Sequence, residues 1–159
     1  MTIAARLSEL GLFLPKPAVV PPGIHLPFKW VRVVGNRACV SGHGPTDANG
    51  QIQGPLGKVG RDVTPEQGYE AARLTGLAML ASLDRELGNL DRIRSWVRVF
   101  GMVNCAPGFQ VTPPVINGFS DLILSVFGEE RGQHSRSAIG VAELPFGIPV
   151  EIEAEVIID

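Results

Sequence analysis

One arginine and one glutamate carry the clearest chemical potential in this chain. Arg136 stands at the mouth of an apolar run, and Glu151 lies fifteen positions later at the start of the next. A guanidinium donates two parallel hydrogen bonds to a carboxylate and is the side chain best fitted to grip one. A carboxylate beside the bound molecule can position or deprotonate a water. Together the two suggest a pocket for a small organic acid. The same residue types also serve as solvated charges at strand ends, and residue type alone leaves both readings open.

The other reactive side chains form weaker patterns. His25, His43 and His134 lack the close spacing of metal motifs. His134, two residues before Arg136, either assists the pocket or caps the strand. Cys105 has no legible base beside it, as a nucleophile would need. Cys39 and Cys105 lie in apolar contexts and read as buried thiols of a reducing cytoplasm. No helix directly follows Gly42-His43-Gly44, as one follows a phosphate loop. Arg92, Arg94 and Arg98 alternate along one strand with Trp96 as the only interleaved aromatic. With a net charge of −2, that stripe suits an interface or a salt-bridged face, and nucleic acid is not the expected partner. Glu151, Glu153 and Glu155 alternate along the last strand and offer the opposite sign.

The elements that must position these residues are legible from pattern. At 159 residues the chain has the length of about one domain, read as an N-terminal arm over 1–29 and a single domain over 30–159. No apolar run approaches the roughly twenty residues of a membrane span, and the start lacks a signal-peptide core, so the expectation is a cytoplasmic protein. Thr2 to Leu14 predicts a short amphipathic helix, followed by a proline-rich extended arm. Trp30–Val34 and Arg37–Ser41 flank Gly35-Asn36 as a hairpin, and Gln51–Gln53 is a candidate third strand. Thr64, Pro65 and Gln67 announce a helix by a capping box, and Gly88 ends it. A strand over Ile93–Val103 follows, then a helix from Thr112-Pro113 to Gly128. Strands near 136–142 and 149–158 complete the order βββαβαββ, an α+β fold with two helices on one face of the sheet. If the last two strands form a hairpin centred near Phe146, Arg136 and Glu151 lie four or five residues apart along the ladder.

Four segments resemble the RidA/YjgF/UK114 family, also called endoribonuclease L-PSP or reactive-intermediate deaminases. They are Val40-Ser41-Gly42 with Gly44-Pro45, the helix entered at Thr64 with Ala71-Ala72, Val115-Ile116-Asn117-Gly118, and Arg136-Ser137-Ala138 through Leu144-Pro145 to Val150-Glu151-Ile152-Glu153-Ala154. The resemblance implies a chorismate-mutase-like fold with a mixed sheet, assembled as a homotrimer with ligand clefts between subunits. It implies hydrolysis of enamines and imines of amino acids to 2-oxo acids and ammonia, without metal or organic cofactor. Arg136 would clamp the substrate carboxylate and Glu151 would orient the water. Gly42 and Ala138 would line the pocket and Asn117 would sit at its edge.

Three departures bear on that expectation. Many catalytic members carry cysteine where this chain has Ala138, and tyrosine where it has His25, after Gly23-Ile24. The arm and the segment Cys105–Pro114 are longer than in compact members. The alternative is a non-catalytic member that binds a small carboxylate metabolite or a partner protein in the same cleft. Ribonuclease activity lacks a basic surface to support it.

Overall fold

The computed structural model describes residues 1–159. Helix α1 spans Ile3–Glu9, with Thr2 capping it through a hydrogen bond from the Ala5 amide. Strands β1 (Val31–Val34) and β2 (Arg37–His43) form the expected hairpin about Gly35-Asn36. Helix α2 (Pro65–Leu87) begins with the complete Thr64/Gln67 capping box and ends at Gly88 in the left-handed conformation. Strand β3 (Ile93–Asn104), helix α3 (Thr112–Gly132), strand β4 (Ser135–Val141) and strand β5 (Val150–Ile158) follow. The helical backbone of α3 breaks at Gly128, where φ is 72°, and then resumes for one turn.

The sheet order is β1-β2-β5-β3-β4. Strand β4 runs parallel to β3 and every other neighbouring pair is antiparallel. This corrects the hairpin expectation for the last two strands: β4 and β5 lie on opposite sides of β3 and do not pair. The reason is the crossover. A strand returning through α3 packs back alongside β3 in parallel, and β5 then closes the space left between β3 and β2.

The candidate strand at Gln51–Gln53 is also corrected. Only an isolated bridge, Thr46 to Ile52, forms there. The Asp47 carboxylate accepts the amides of Asn49 and Gln51, which commits the segment to a turn. The structure has five strands, and the N-terminal helix expected over Thr2–Leu14 is present but shorter, Ile3–Glu9, within the α+β class expected.

Helices α2 and α3 cover one face of the sheet. Their axes approach closely where side chains are absent: a Cβ on Gly118 would fall 1.9 Å from the Tyr69 carbonyl oxygen. Beneath them, Trp96 meets Phe119 and Phe127 edge-on at 5.8 and 5.7 Å. Ile3 and Leu7 of α1 belong to the same core. The opposite face of the sheet carries Arg98, Phe100, Glu151, Glu153 and Glu155, and is open. Cys39 is exposed there and Cys105 is partly buried, which corrects their reading as buried thiols; the strand turns Cys39 outward because its neighbours Ala38 and Val40 fill the core.

Candidate functional site

Arg136 leaves β4 on the helix side, in register with buried Val99. Its Nη1 donates to Asn117 Oδ1 at 2.9 Å and to Ser120 Oγ at 3.0 Å, and Nη2 donates to the Pro113 carbonyl at 3.3 Å. All three acceptors lie on the first three turns of α3. No carboxylate pairs with this guanidinium. Three of its five N–H donors are occupied, which leaves two, the number a carboxylate takes in a bidentate pair.

His134 steadies this arrangement. Its Nδ1 faces the Gly132 carbonyl at 2.7 Å, which requires the proton on that nitrogen. Nε2 therefore accepts from the Ser120 hydroxyl at 2.9 Å. Burial, opposed in part by the Gly132 hydrogen bond, lowers its proton affinity and keeps it neutral. The chain from Arg136 to Ser120 to His134 fixes the serine hydroxyl in one direction. Ala138, two residues along the same face, packs on the core and accepts a hydrogen bond from Thr112 through its carbonyl.

Glu151 stands elsewhere. It pairs with Met102 on β3, three positions beyond Val99 and on the opposite face of the sheet. The two predicted catalytic side chains therefore do not meet within one subunit. The Glu151 carboxylate lies against Gly42, where a Cβ would fall 2.1 Å from Oε1. Burial, reinforced by the nearby Glu153 charge, raises its proton affinity above the ordinary carboxylate range. Above it opens a cavity of about 400 Å³ walled by the N-terminal arm, the Gly42–Thr46 segment and the Pro145–Ile148 turn.

His25 does not line that cavity. It is exposed, while Ile24 and Leu26 on either side of it do line the cavity. The arm residues and Phe146 were not identifiable as site residues from sequence. Their one signal was a run of apolar side chains among prolines, with neither helical nor strand period to bury it.

His43, which reads alongside His134 as either a pocket or a capping residue, is buried and repeats the geometry of His134. Nδ1 donates to the Ser41 carbonyl at 2.6 Å, Nε2 accepts from Ser82, and Ser82 accepts from Arg85. Trp30 lies over the ring at 4.9 Å. Desolvation lowers its pKa to about 4. It anchors β2 to α2. Arg92 and Arg94 both bind Asp159, so two of the three arginines of the basic stripe are paired, and Arg37 on β2 binds Glu155.

Comparison with known proteins agrees with this architecture. The sequence pattern of the family described as YjgF/chorismate mutase-like, putative endoribonuclease, matches residues 4–148. The chain is 42% identical over 155 residues to Protein TCP17 of Trypanosoma cruzi, covering 96% of this chain and 91% of that one. It is similar to the crystal structure of Atu1372 from Agrobacterium tumefaciens, a protein of unknown function, with 39% identity, a TM-score of 0.86, and 99% and 92% of the two chains covered. A protein of Shewanella oneidensis described as a putative endoribonuclease gives 30% identity and a TM-score of 0.84, with 99% and 100% covered. With sequence and fold agreeing over nearly its whole length, the chain belongs to the YjgF/chorismate mutase-like, or RidA/YjgF, family.

Proposed function

We propose that this protein hydrolyses imines and enamines of amino acids to 2-oxo acids and ammonia, in clefts completed between subunits of a homotrimer. The observation that carries the reading is the division of the site. The Arg136 half, with Asn117, lies on the helix side at the β4 edge, and the Glu151 half, with Gly42, lies on the other face. A second copy docked head to tail brings Arg136 of one subunit to Glu151 of the next. Such a contact is heterologous and closes into a ring. The family resemblance supports a ring of three.

The chemistry follows from the two halves. The free donors of Arg136 hold the carboxylate of the imino acid, and so fix the adjacent C=N carbon. Glu151, whose surroundings favour protonation, takes a proton as water adds to that carbon. That proton passes to nitrogen; the hydroxyl proton follows it as the carbonyl bond forms and the C–N bond breaks, and ammonia leaves behind a 2-oxo acid. Base assistance of this kind typically supplies about 10²–10⁴-fold, a useful margin over imines that already hydrolyse in water.

Ala138 favours one rival, since it leaves the Arg136 side without a thiol: a member that binds a small carboxylate without turnover. Following the decay of 2-iminopropanoate generated in situ separates the two. Acceleration that disappears in Arg136→Ala supports the deaminase. No acceleration, with ligand-induced stabilisation retained, supports the binding protein.

A further inference from the structure

The cavity above Glu151 is far larger than a methyl group needs. Its volume of about 400 Å³ compares with roughly 30 Å³ for each water of the liquid. Glu151 supplies its one carboxylate, and most of the lining is aliphatic or aromatic. Six of those apolar residues, Ala18, Val19, Val20, Ile24, Leu26 and Phe28, come from the arm. The arm is held in place: the amides of Lys16 and Val19 donate to the carbonyls of Ala48 and Gly50, and Arg85 donates to the Pro15 carbonyl. Prolines 17, 21, 22 and 27 stiffen what lies between and beyond.

The opposite wall is equally fixed. Phe146 sits at the cavity mouth with φ of 57°, a conformation that bulky residues avoid. Backbone hydrogen bonds from Gly147 to Leu144, from Ile148 to Pro145 and from Gly57 to Gly147 hold the turn. A strained aromatic maintained by its surroundings at a cavity is a recurrent mark of a ligand contact.

Resting on the reading above, we infer that this cavity receives the substrate's side chain and selects 2-imino acids with large apolar side chains, branched aliphatic or aromatic, over 2-iminopropanoate. Arg136 of one subunit fixes the carboxylate, Glu151 of the next faces the imine carbon, and the third substituent on that carbon points into the arm-walled cavity. A methyl group there leaves apolar walls wet. At about fourfold per buried methylene, the three extra carbons of a leucine-derived imine amount to about 60-fold in kcat/KM.

The test uses imines made in situ by a D-amino-acid oxidase from D-alanine, D-leucine and D-phenylalanine, with decay followed by semicarbazide trapping. The expected result is a leucine-to-alanine preference of tens of fold, falling at least tenfold in Val20→Trp, which fills the cavity. Equal or better turnover of the alanine-derived imine overturns the inference and leaves the deaminase reading standing. If no imine is accelerated, the deaminase reading fails, and thermal stabilisation by the 2-oxo acids decides the cavity. Stronger stabilisation by 4-methyl-2-oxopentanoate than by pyruvate then upholds an apolar side-chain pocket, and equal effects overturn it.

Discussion

Two inactive variants should restore activity when mixed. Arg136 and Glu151 are aligned with Val99 and Met102 of β3, three positions apart, and belong to strands on either side of it. Three residue rises and two strand spacings separate their backbones by about 14 Å, and the side chains then point to opposite faces of the sheet. No rotamer change within a subunit closes that gap. Arg136→Ala keeps an intact Glu151 half, and Glu151→Gln keeps an intact Arg136 half. After dissociation and reassembly of an equal mixture, each interface draws its arginine half from the Glu151→Gln subunit half the time. It draws its glutamate half from the Arg136→Ala subunit half the time. About a quarter of the sites regain both residues. The assay is imine decay before and after exchange, with the fraction of mixed assemblies read by mass spectrometry. Mixed rings that form yet show no activity above the parent variants would refute the divided site. So would activity that follows only one subunit type.

Three further outcomes follow from the geometry. Because His43 is buried neutral with a pKa lowered from 6.5 to about 4, its contribution to stability is complete above pH 6.5 and is lost as pH falls toward 4. The loss is about 3 kcal/mol in total, so the stability advantage of the wild type over His43→Gln should shrink across that window, and a pH-independent difference in denaturation midpoints would contradict the assignment. The raised proton affinity of Glu151 has the opposite sign: its destabilising effect is absent below the ordinary carboxylate range and appears as pH rises through the folded value. Glu151→Gln should accordingly melt higher than wild type at neutral pH and converge with it in acid, by calorimetry. Finally, a Cβ at Gly42 would displace the Glu151 carboxylate, a mobile group, and not backbone. Gly42→Ala should lower kcat/KM for imine hydrolysis about tenfold or more while shifting Tm by only a few degrees; a large Tm loss with unchanged kcat would show that the glycine serves packing alone.

The parts of this fold that were legible in sequence are those set by local chemistry. Thr64-Pro65 with Gln67 marks where α2 begins, Gly88 where it ends, and the Gly35-Asn36 turn where the first hairpin reverses. Asn117-Gly118 carried two meanings that sequence could register only as a family likeness: the glycine lets α3 touch α2, and the asparagine reaches Arg136. What was not legible depends on strand order. Adjacent strands in sequence invite a hairpin, and only the parallel return through α3 forbids it for β4 and β5. That one topological fact decides that Arg136 and Glu151 face opposite ways. The arm's place over Glu151 was hidden for a different reason, since proline-rich segments have no period that betrays their buried side.

The place of β5 has a consequence for how the molecule is made. This strand follows all the others in the chain, yet it occupies the middle of the sheet, between β2 and β3. Until it emerges from the ribosome, the β1–β2 hairpin and the β3–β4 pair share no neighbour, and two open ladder edges wait for one late segment. Such unpaired edges invite pairing with other chains. Completion of the sheet therefore waits on the last of its strands to be made, and until then both edges stay open to aggregation.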